Sequence, residues 1–77
     1  MRADYDREAD AIYIYLSDKP YSYGKDLDNE RRIDYDSDNK PRGIELLCVS
    51  QGVTMDDLPQ ASAIERLLGD LNIKVYA

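Results

Sequence analysis

The chain has 77 residues, with 16 acidic and 10 basic side chains and no histidine. Its length predicts one domain. Its 43% hydrophobic content is too high for a disordered tail, and its 34% charged content is too high for a membrane span. The missing histidine removes the commonest general base and the commonest transition-metal ligand. We therefore expect a cytoplasmic single domain over residues 1–77, with no catalytic residues, no cofactor and no membrane partner.

Period-two alternation predicts an antiparallel β-meander over residues 1–50. The clearest strand places Ile12, Ile14 and Leu16 on one face, with tyrosines on the other. Further strands are expected over residues 2–5, 21–27, 31–36 and 44–49. Gly24 marks a possible bulge in the strand over residues 21–27. The last strand is apolar on both faces, which indicates a central position with Cys48 buried as a small hydrophobe.

The pattern changes after residue 53. Thr54 and Asp57 have the spacing of a capping box, and Pro59 suits the first position of a helix. An apolar stripe follows at Ala61, Ile64, Leu67, Leu68 and Leu71. We expect a short turn and helix over residues 54–71, a stop at Asn72 and a strand over 73–76. The fold class is therefore α+β, an antiparallel sheet of about four strands with one C-terminal helix on one face.

One acidic segment has the oxygen spacing of a calcium loop. Carboxylates fall at relative positions 1, 3, 5 and 12, as in an EF-hand, and they are Asp34, Asp36, Asp38 and Glu45. However, Asn39 stands at position 6, where the loop needs glycine, and Pro41 stands at position 8. The flanking segments are also predicted strands, whereas an EF-hand loop joins two helices. The favoured interpretation is a hairpin whose aspartates bond backbone N–H groups, with no metal. Weak cation binding is the alternative.

All seven aromatic residues are tyrosine, and several fall on the predicted sheet. Such rings could stack nucleic-acid bases, but residues 26–38 carry a net charge of −4, which repels a polyanion. Tyrosine is also common at protein interfaces. We therefore predict an interaction surface, and no nucleic-acid partner. Its expected residues are Tyr13, Tyr15, Tyr21, Tyr23, Leu47 and Val49.

Several motifs resemble one known family. They are Tyr5-Asp6-x-Glu8-Ala9-Asp10-Ala11-Ile12-Tyr13-Ile14, Ile33-Asp34-Tyr35-Asp36, Gly43-Ile44-Glu45-Leu46, Gly52-Val53 and Leu58-Pro59. Together they resemble the small bacterial proteins of domain-of-unknown-function family 2283. The resemblance implies no established activity and no catalytic residues. It also implies that some members are partners in two-gene modules of the toxin and antitoxin kind.

The leading functional hypothesis is a non-enzymatic protein-interaction module. A domain this small buries little of its surface, which favours a homodimer. The acidic surface favours a small basic protein partner, in an antitoxin-like role. The alternative is a small carboxylate-using enzyme, or a protein that binds a divalent cation or another ligand.

Overall fold

The first part of the chain forms a five-stranded antiparallel sheet in the computed structural model, which describes residues 1–76. Its strands are β1 (Arg2–Asp6), β2 (Ala11–Tyr15), β3 (Tyr23–Asp26), β4 (Arg31–Tyr35) and β5 (Pro41–Leu47). One helix follows, α1 (Ala61–Asp70), with a two-stranded parallel pair, β6 (Val53–Thr54) and β7 (Val75–Tyr76). The expected α+β class, with one C-terminal helix, is confirmed.

The strand order is β1-β2-β5-β4-β3, so the sheet is not a simple meander. Two hairpin units, β1-β2 and β3-β4-β5, join edge to edge through β2 and β5. The segment between Tyr15 and Tyr23, which contains Pro20, carries the chain from β2 to the far edge of the sheet. The apolar strand β5 lies at the centre, as predicted.

One face of the sheet holds the core. Ile12, Ile14, Ile44 and Leu46 from β2 and β5 are almost fully buried, and Ile64 and Leu68 of α1 join the same cluster. Residues of the parallel pair and of the segment before α1 complete it, namely Val53, Met55, Leu58 and Ile73. Within residues 1–76, the helix and the β6-β7 pair thus pack on the same side of the sheet.

The start of the helix differs from the prediction. Thr54 belongs to strand β6 and Asp57 has a left-handed backbone, with φ 65°, so no capping box forms. Gln60 is also left-handed, with φ 52°, which excludes a helix that begins at Pro59. The pattern missed β6 because its two residues are too few to show a period.

The end of the helix was predicted more closely. Asn72 takes the left-handed conformation, with φ 61°. Its N–H donates to the carbonyl of Gly69, and the N–H of Ile73 donates to that of Leu68. These two bonds form a Schellman motif, which ends the helix and turns the chain toward β7.

Cys48 was predicted to be buried in a strand, and this is wrong. Strand β5 ends at Leu47, and Cys48 is exposed in a left-handed conformation, with φ 55°. That turn directs Val49 into the core, where its side chain is 1% exposed. No helix within residues 1–76 is long and apolar enough to cross a membrane.

Candidate functional site

The face of the sheet opposite α1, called here the open face, carries polar and aromatic side chains in three rows. Cross-strand pairing places one residue of each strand in the first two rows, and one residue of β1, β2 and β5 in the third. The arginine row contains Arg2, Tyr15, Gly43, Asp34 and Gly24. The middle row contains Asp4, Tyr13, Glu45, Arg32 and Asp26. The acidic row contains Asp6, Ala11 and Leu47, and the β3-β4 turn extends it with Glu30 and Asp28.

Tyr13 is the centre of a hydrogen-bond network on this face. Its hydroxyl donates to Asp34 Oδ2 at 2.7 Å and accepts from Arg42 Nη1 at 2.9 Å. Burial, followed by the bond to Asp34, raises the pKa of Tyr13 to about 12. The phenol is therefore a proton donor to Asp34 at neutral pH, and the carboxylate is satisfied although it is only 8% exposed.

A bulge in β5 brings Arg42 to the open face. Asp34 pairs with Gly43 and Tyr35 pairs with Pro41, so Arg42 is an extra residue in its strand. Such a bulge re-aims a side chain. The guanidinium then reaches Tyr13 on one side, while its Nε donates to the carbonyl of Lys19 at 3.0 Å.

Arg32 extends the network toward the β3 edge. Its guanidinium donates to Asp34 Oδ1 at 3.2 Å, to Asp26 Oδ1 at 3.1 Å and to the Tyr21 hydroxyl at 3.2 Å. These bonds raise the pKa of Arg32, and the bond with Tyr21 makes the largest contribution. The network thus spans β2, β5, β4 and β3.

Two glycines let this network lie flat on the sheet. A Cβ at Gly43 would overlap the hydroxyl of Tyr13, and one at Gly24 would overlap the guanidinium of Arg32. Gly24 was predicted as a possible bulge, but its pairing is regular. Both positions instead permit close approach of a side chain to the backbone.

The β1 side of the open face holds an aromatic and cationic group. The guanidinium of Arg2 lies 3.9 Å from the ring centroid of Tyr15, whose hydroxyl donates to Asp4 Oδ2 at 3.0 Å. The rings of Tyr13 and Tyr15 meet edge to face at 4.8 Å. Within the described chain, no carboxylate lies within 4.0 Å of the charged nitrogens of Arg2 or Arg42.

The opposite end of the face is acidic and contains a groove of about 410 Å³. Its lining includes Asp26, Asp28, Glu30, Glu45 and Leu47. Asp28 is held ionised, because bonds from the Glu30 N–H and then the Arg31 side chain lower its pKa. Leu47 is 38% exposed among these charges, so the acidic end of the face also presents an apolar side chain at the surface.

The structure brings together most of the predicted interaction residues. Tyr13, Tyr15 and Leu47 lie on the open face, and Tyr21 joins them through Arg32. Tyr23 shares the other face with Tyr35, on which it stacks at 5.1 Å. Val49 lies in the core and is not accessible to a partner.

The four metal candidates do not form one cluster. Both oxygens of Asp34 accept hydrogen bonds, from Tyr13 and Arg32. Asp36 Oδ1 accepts from the N–H groups of Asp38 and Lys40, which is the behaviour of a hairpin turn. Glu45 lies on the open face of β5, away from this turn. Among the residues that the structure describes, no three potential ligands are grouped to hold a metal ion.

Several residues of the open face were not singled out from the sequence, above all Arg42, Arg32, Arg2 and Gly43. The one available signal was Gly43, directly before the strand predicted over residues 44–49, because glycine in a strand indicates a bulge or a close approach. The partners of the arginines depend on strand order, which the sequence did not supply. Cys48 is exposed and not buried as predicted, and a hydrogen bond with Glu30 raises the pKa of its thiol.

These features define an α+β domain with a one-sided sheet and a pre-organised polar network on the uncovered side. The chain belongs to the family described as "Protein of unknown function (DUF2283)", whose match covers residues 2–50. That range contains all five strands of the sheet and the whole open-face network. No curated protein and no solved structure matches the chain.

Proposed function

We propose that this protein is a non-enzymatic protein-interaction module that binds its partner through the open face of the sheet. The observation that carries the proposal is Leu47, an exposed apolar side chain beside the acidic groove and on the same face as Tyr13 and Tyr15. Exposed aromatic and apolar groups with a charged rim are typical of interfaces. The proposal places the protein in the cytoplasm, which cell fractionation tests.

The chemistry of the network supports a binding role over a catalytic one. A general base is most effective when its pKa lies near the working pH. The pKa of Tyr13 is instead raised to about 12, so this group keeps its proton at neutral pH. Asp34 accepts two bonds and Arg42 donates two, which leaves these groups engaged with one another.

The acidic row sets the charge of the partner. Asp6, Asp28 and Glu30 place negative charge around Leu47, so the matching surface brings positive charge and an apolar contact. A nucleic acid carries negative phosphates, and this acidic end of the face repels them. A second copy of the chain and a small basic protein, as in an antitoxin-like pair, both have this chemistry.

Affinity capture from an extract of the native host tests the proposal. Wild-type protein is compared with Glu30→Lys, which reverses a charge in the acidic row, and with Glu65→Lys, which makes the same change on exposed α1. We expect a partner that the wild type and Glu65→Lys retain and Glu30→Lys loses. Equal capture by all three proteins contradicts a role for the open face.

A further inference from the structure

We propose that one end of the open face, called here the arginine end, binds a carboxylate group of the partner protein. The arginine end consists of Arg2, Tyr15 and Arg42, and it lies at the opposite end of the strands from the acidic row. The proposal rests on the proposed function, because it adds a second contact with the same partner. That partner brings a positive charge to the acidic row and a negative charge to the arginine end.

Two guanidinium groups converge on one aromatic ring at this end. The Cζ atom of Arg2 lies 3.9 Å from the ring centroid of Tyr15, and the Cζ atom of Arg42 lies 5.8 Å from the same centroid. Two positive charges that share one ring repel each other, and a negative charge beside the ring relieves this repulsion. A bound anion is therefore attracted by both guanidinium groups at once.

Both guanidinium groups have N–H donors available for a ligand. Arg31 and Arg32 each form a salt bridge with a carboxylate, whereas within residues 1–76 Arg2 and Arg42 form none. Arg42 donates through Nε to a carbonyl and through Nη1 to the Tyr13 hydroxyl, and in the described chain its Nη2 donates to no acceptor. The two bonds hold this guanidinium in place, which reduces the entropy that binding would cost.

A groove beside Arg2 is large enough for a side chain of the partner. Its volume is about 360 Å³, and its lining includes Arg2, Tyr15, Leu16 and Asp18. Grooves and pockets that hold small ligands have volumes of about 300–1,000 Å³. A carboxylate side chain therefore fits beside the Tyr15 ring, within reach of the guanidinium group of Arg2.

The neighbouring carboxylates favour an anion with a single charge. Asp18 lines the groove, and Asp4 accepts a hydrogen bond from the Tyr15 hydroxyl at 3.0 Å. These negative charges offset part of the charge of the two guanidinium groups, and the whole chain has a net charge of −6. A phosphate group, with a charge of about −2, is therefore repelled more strongly than a carboxylate. A carboxylate still forms the paired N–H···O bonds that a guanidinium group offers.

The length of β2 sets the distance between the two charges of the partner. Tyr15 of the arginine end and Ala11 of the acidic row are the terminal residues of this strand. They are about 13 Å apart at the usual rise per residue. The fitting surface therefore carries a carboxylate and a basic group about 13 Å apart, and a uniformly basic surface fits less well.

An NMR titration of isotope-labelled protein with two short peptides tests the proposal. The probe is acetyl-Ala-Glu-Ala-amide, and the uncharged control is acetyl-Ala-Gln-Ala-amide. We expect the glutamate peptide to shift the Tyr15 amide and the Arg42 Nε–H signals with a Kd on the order of 10 mM. The glutamine peptide should leave both signals unchanged at the same concentrations.

Three variants show which charge is responsible. Arg2→Gln should weaken binding of the glutamate peptide about threefold, and Arg2→Lys should weaken it less because the charge is kept. Arg7→Gln is the matched control, because Arg7 lies 4.7 Å from the ring centroid of Tyr5 and has no salt bridge among the described residues. Its ring packs against the core side of the sheet, so this variant should bind the peptide as wild type does.

Inorganic phosphate, titrated in the same way, separates the two sources of an oxyanion. We expect it to bind more weakly than the glutamate peptide. Four results overturn the proposal. They are no shift by the glutamate peptide at about 100 mM, equal shifts by the glutamine peptide, tighter binding of phosphate, or equal losses in Arg2→Gln and Arg7→Gln.

The capture experiment separates this proposal from the proposed function. We expect Arg2→Gln and Glu30→Lys both to retain less of the partner than wild type, while Arg7→Gln retains as much. If Glu30→Lys loses the partner and Arg2→Gln does not, the open face is the docking surface and the carboxylate contact is wrong. If no variant loses the partner, the proposed function fails, and the carboxylate contact fails with it.

Discussion

At the scale of single residues, Tyr13 determines how the open face is organised. Its hydroxyl joins a nearly buried carboxylate to an arginine that a bulge delivers from another strand. A buried acceptor that loses its donor costs more than the bond itself contributes. The importance of Tyr13 therefore lies in keeping Asp34 satisfied, and this leads to two predictions.

Tyr13→Phe removes both hydrogen bonds and leaves Asp34 with only Arg32 as a donor. We expect a loss of about 1–2 kcal/mol in the free energy of unfolding, measured with urea. Tyr15→Phe is the matched control, because its hydroxyl bonds the exposed Asp4. We expect the smaller loss for the control, and equal losses would contradict the role of Tyr13 in satisfying Asp34.

Tyr13 should also lose its proton late, with a pKa of about 12 against the ordinary 10.0. Absorbance near 295 nm should show this late step in wild type and not in Tyr13→Phe. Because the folded chain holds this proton more tightly than the unfolded chain, the contribution to stability is complete below pH 10 and is lost toward pH 12. Identical titration curves for the two proteins would exclude the raised pKa.

At the scale of elements, β5 shows why the site could be predicted only in part. Apolar residues on both faces of the segment predicted a central or covered strand, and the strand order confirms the central position of β5. The bulge at Arg42 depends on how β4 and β5 pair, which no period in one strand reveals. The sequence therefore predicted the face that carries Tyr13 and missed the arginine that meets it.

Gly43→Ala tests whether the network needs close contact with the strand. The added Cβ would overlap the Tyr13 ring, so the ring must move and its bonds weaken. We expect a loss of about 1–3 kcal/mol by thermal or urea unfolding, and a Tyr13 pKa closer to 10.0.

Gly69→Ala is the matched control for Gly43→Ala. Nothing lies within 4 Å of a Cβ at Gly69, and the residue is inside α1. Alanine there should stabilise the protein by about 0.5–1 kcal/mol, because glycine is the poorer helix former. A Gly43 variant as stable as wild type would contradict the close packing described for Tyr13.

At the scale of the whole molecule, the central feature is a sheet covered on one side. The apolar stripe of α1 predicted that coverage correctly, and the match over residues 2–50 confirms the family. The rows on the uncovered side could not be predicted, because β2 lies beside β5 and not beside β3. Long-range pairing of this kind leaves no mark on local patterns.

The acidic residues of this molecule should not form a strong cation site. Calorimetric titration with calcium, magnesium and manganese is expected to show no saturable binding at micromolar concentrations. The physical reason is that both oxygens of Asp34 and the Oδ1 of Asp36 already accept protein hydrogen bonds. Saturable micromolar binding that Asp36→Asn abolishes would favour the cation-binding alternative.

The most direct test of the open face as the working surface is a concentration series of amide NMR spectra. A role for the open face predicts concentration-dependent shifts at Tyr15, Gly43 and Leu47, with the amides of α1 unchanged. Added salt should reverse these shifts, because salt screens the charged groups of the open face. Shifts confined to α1, or spectra that do not change up to about 1 mM protein, would contradict it.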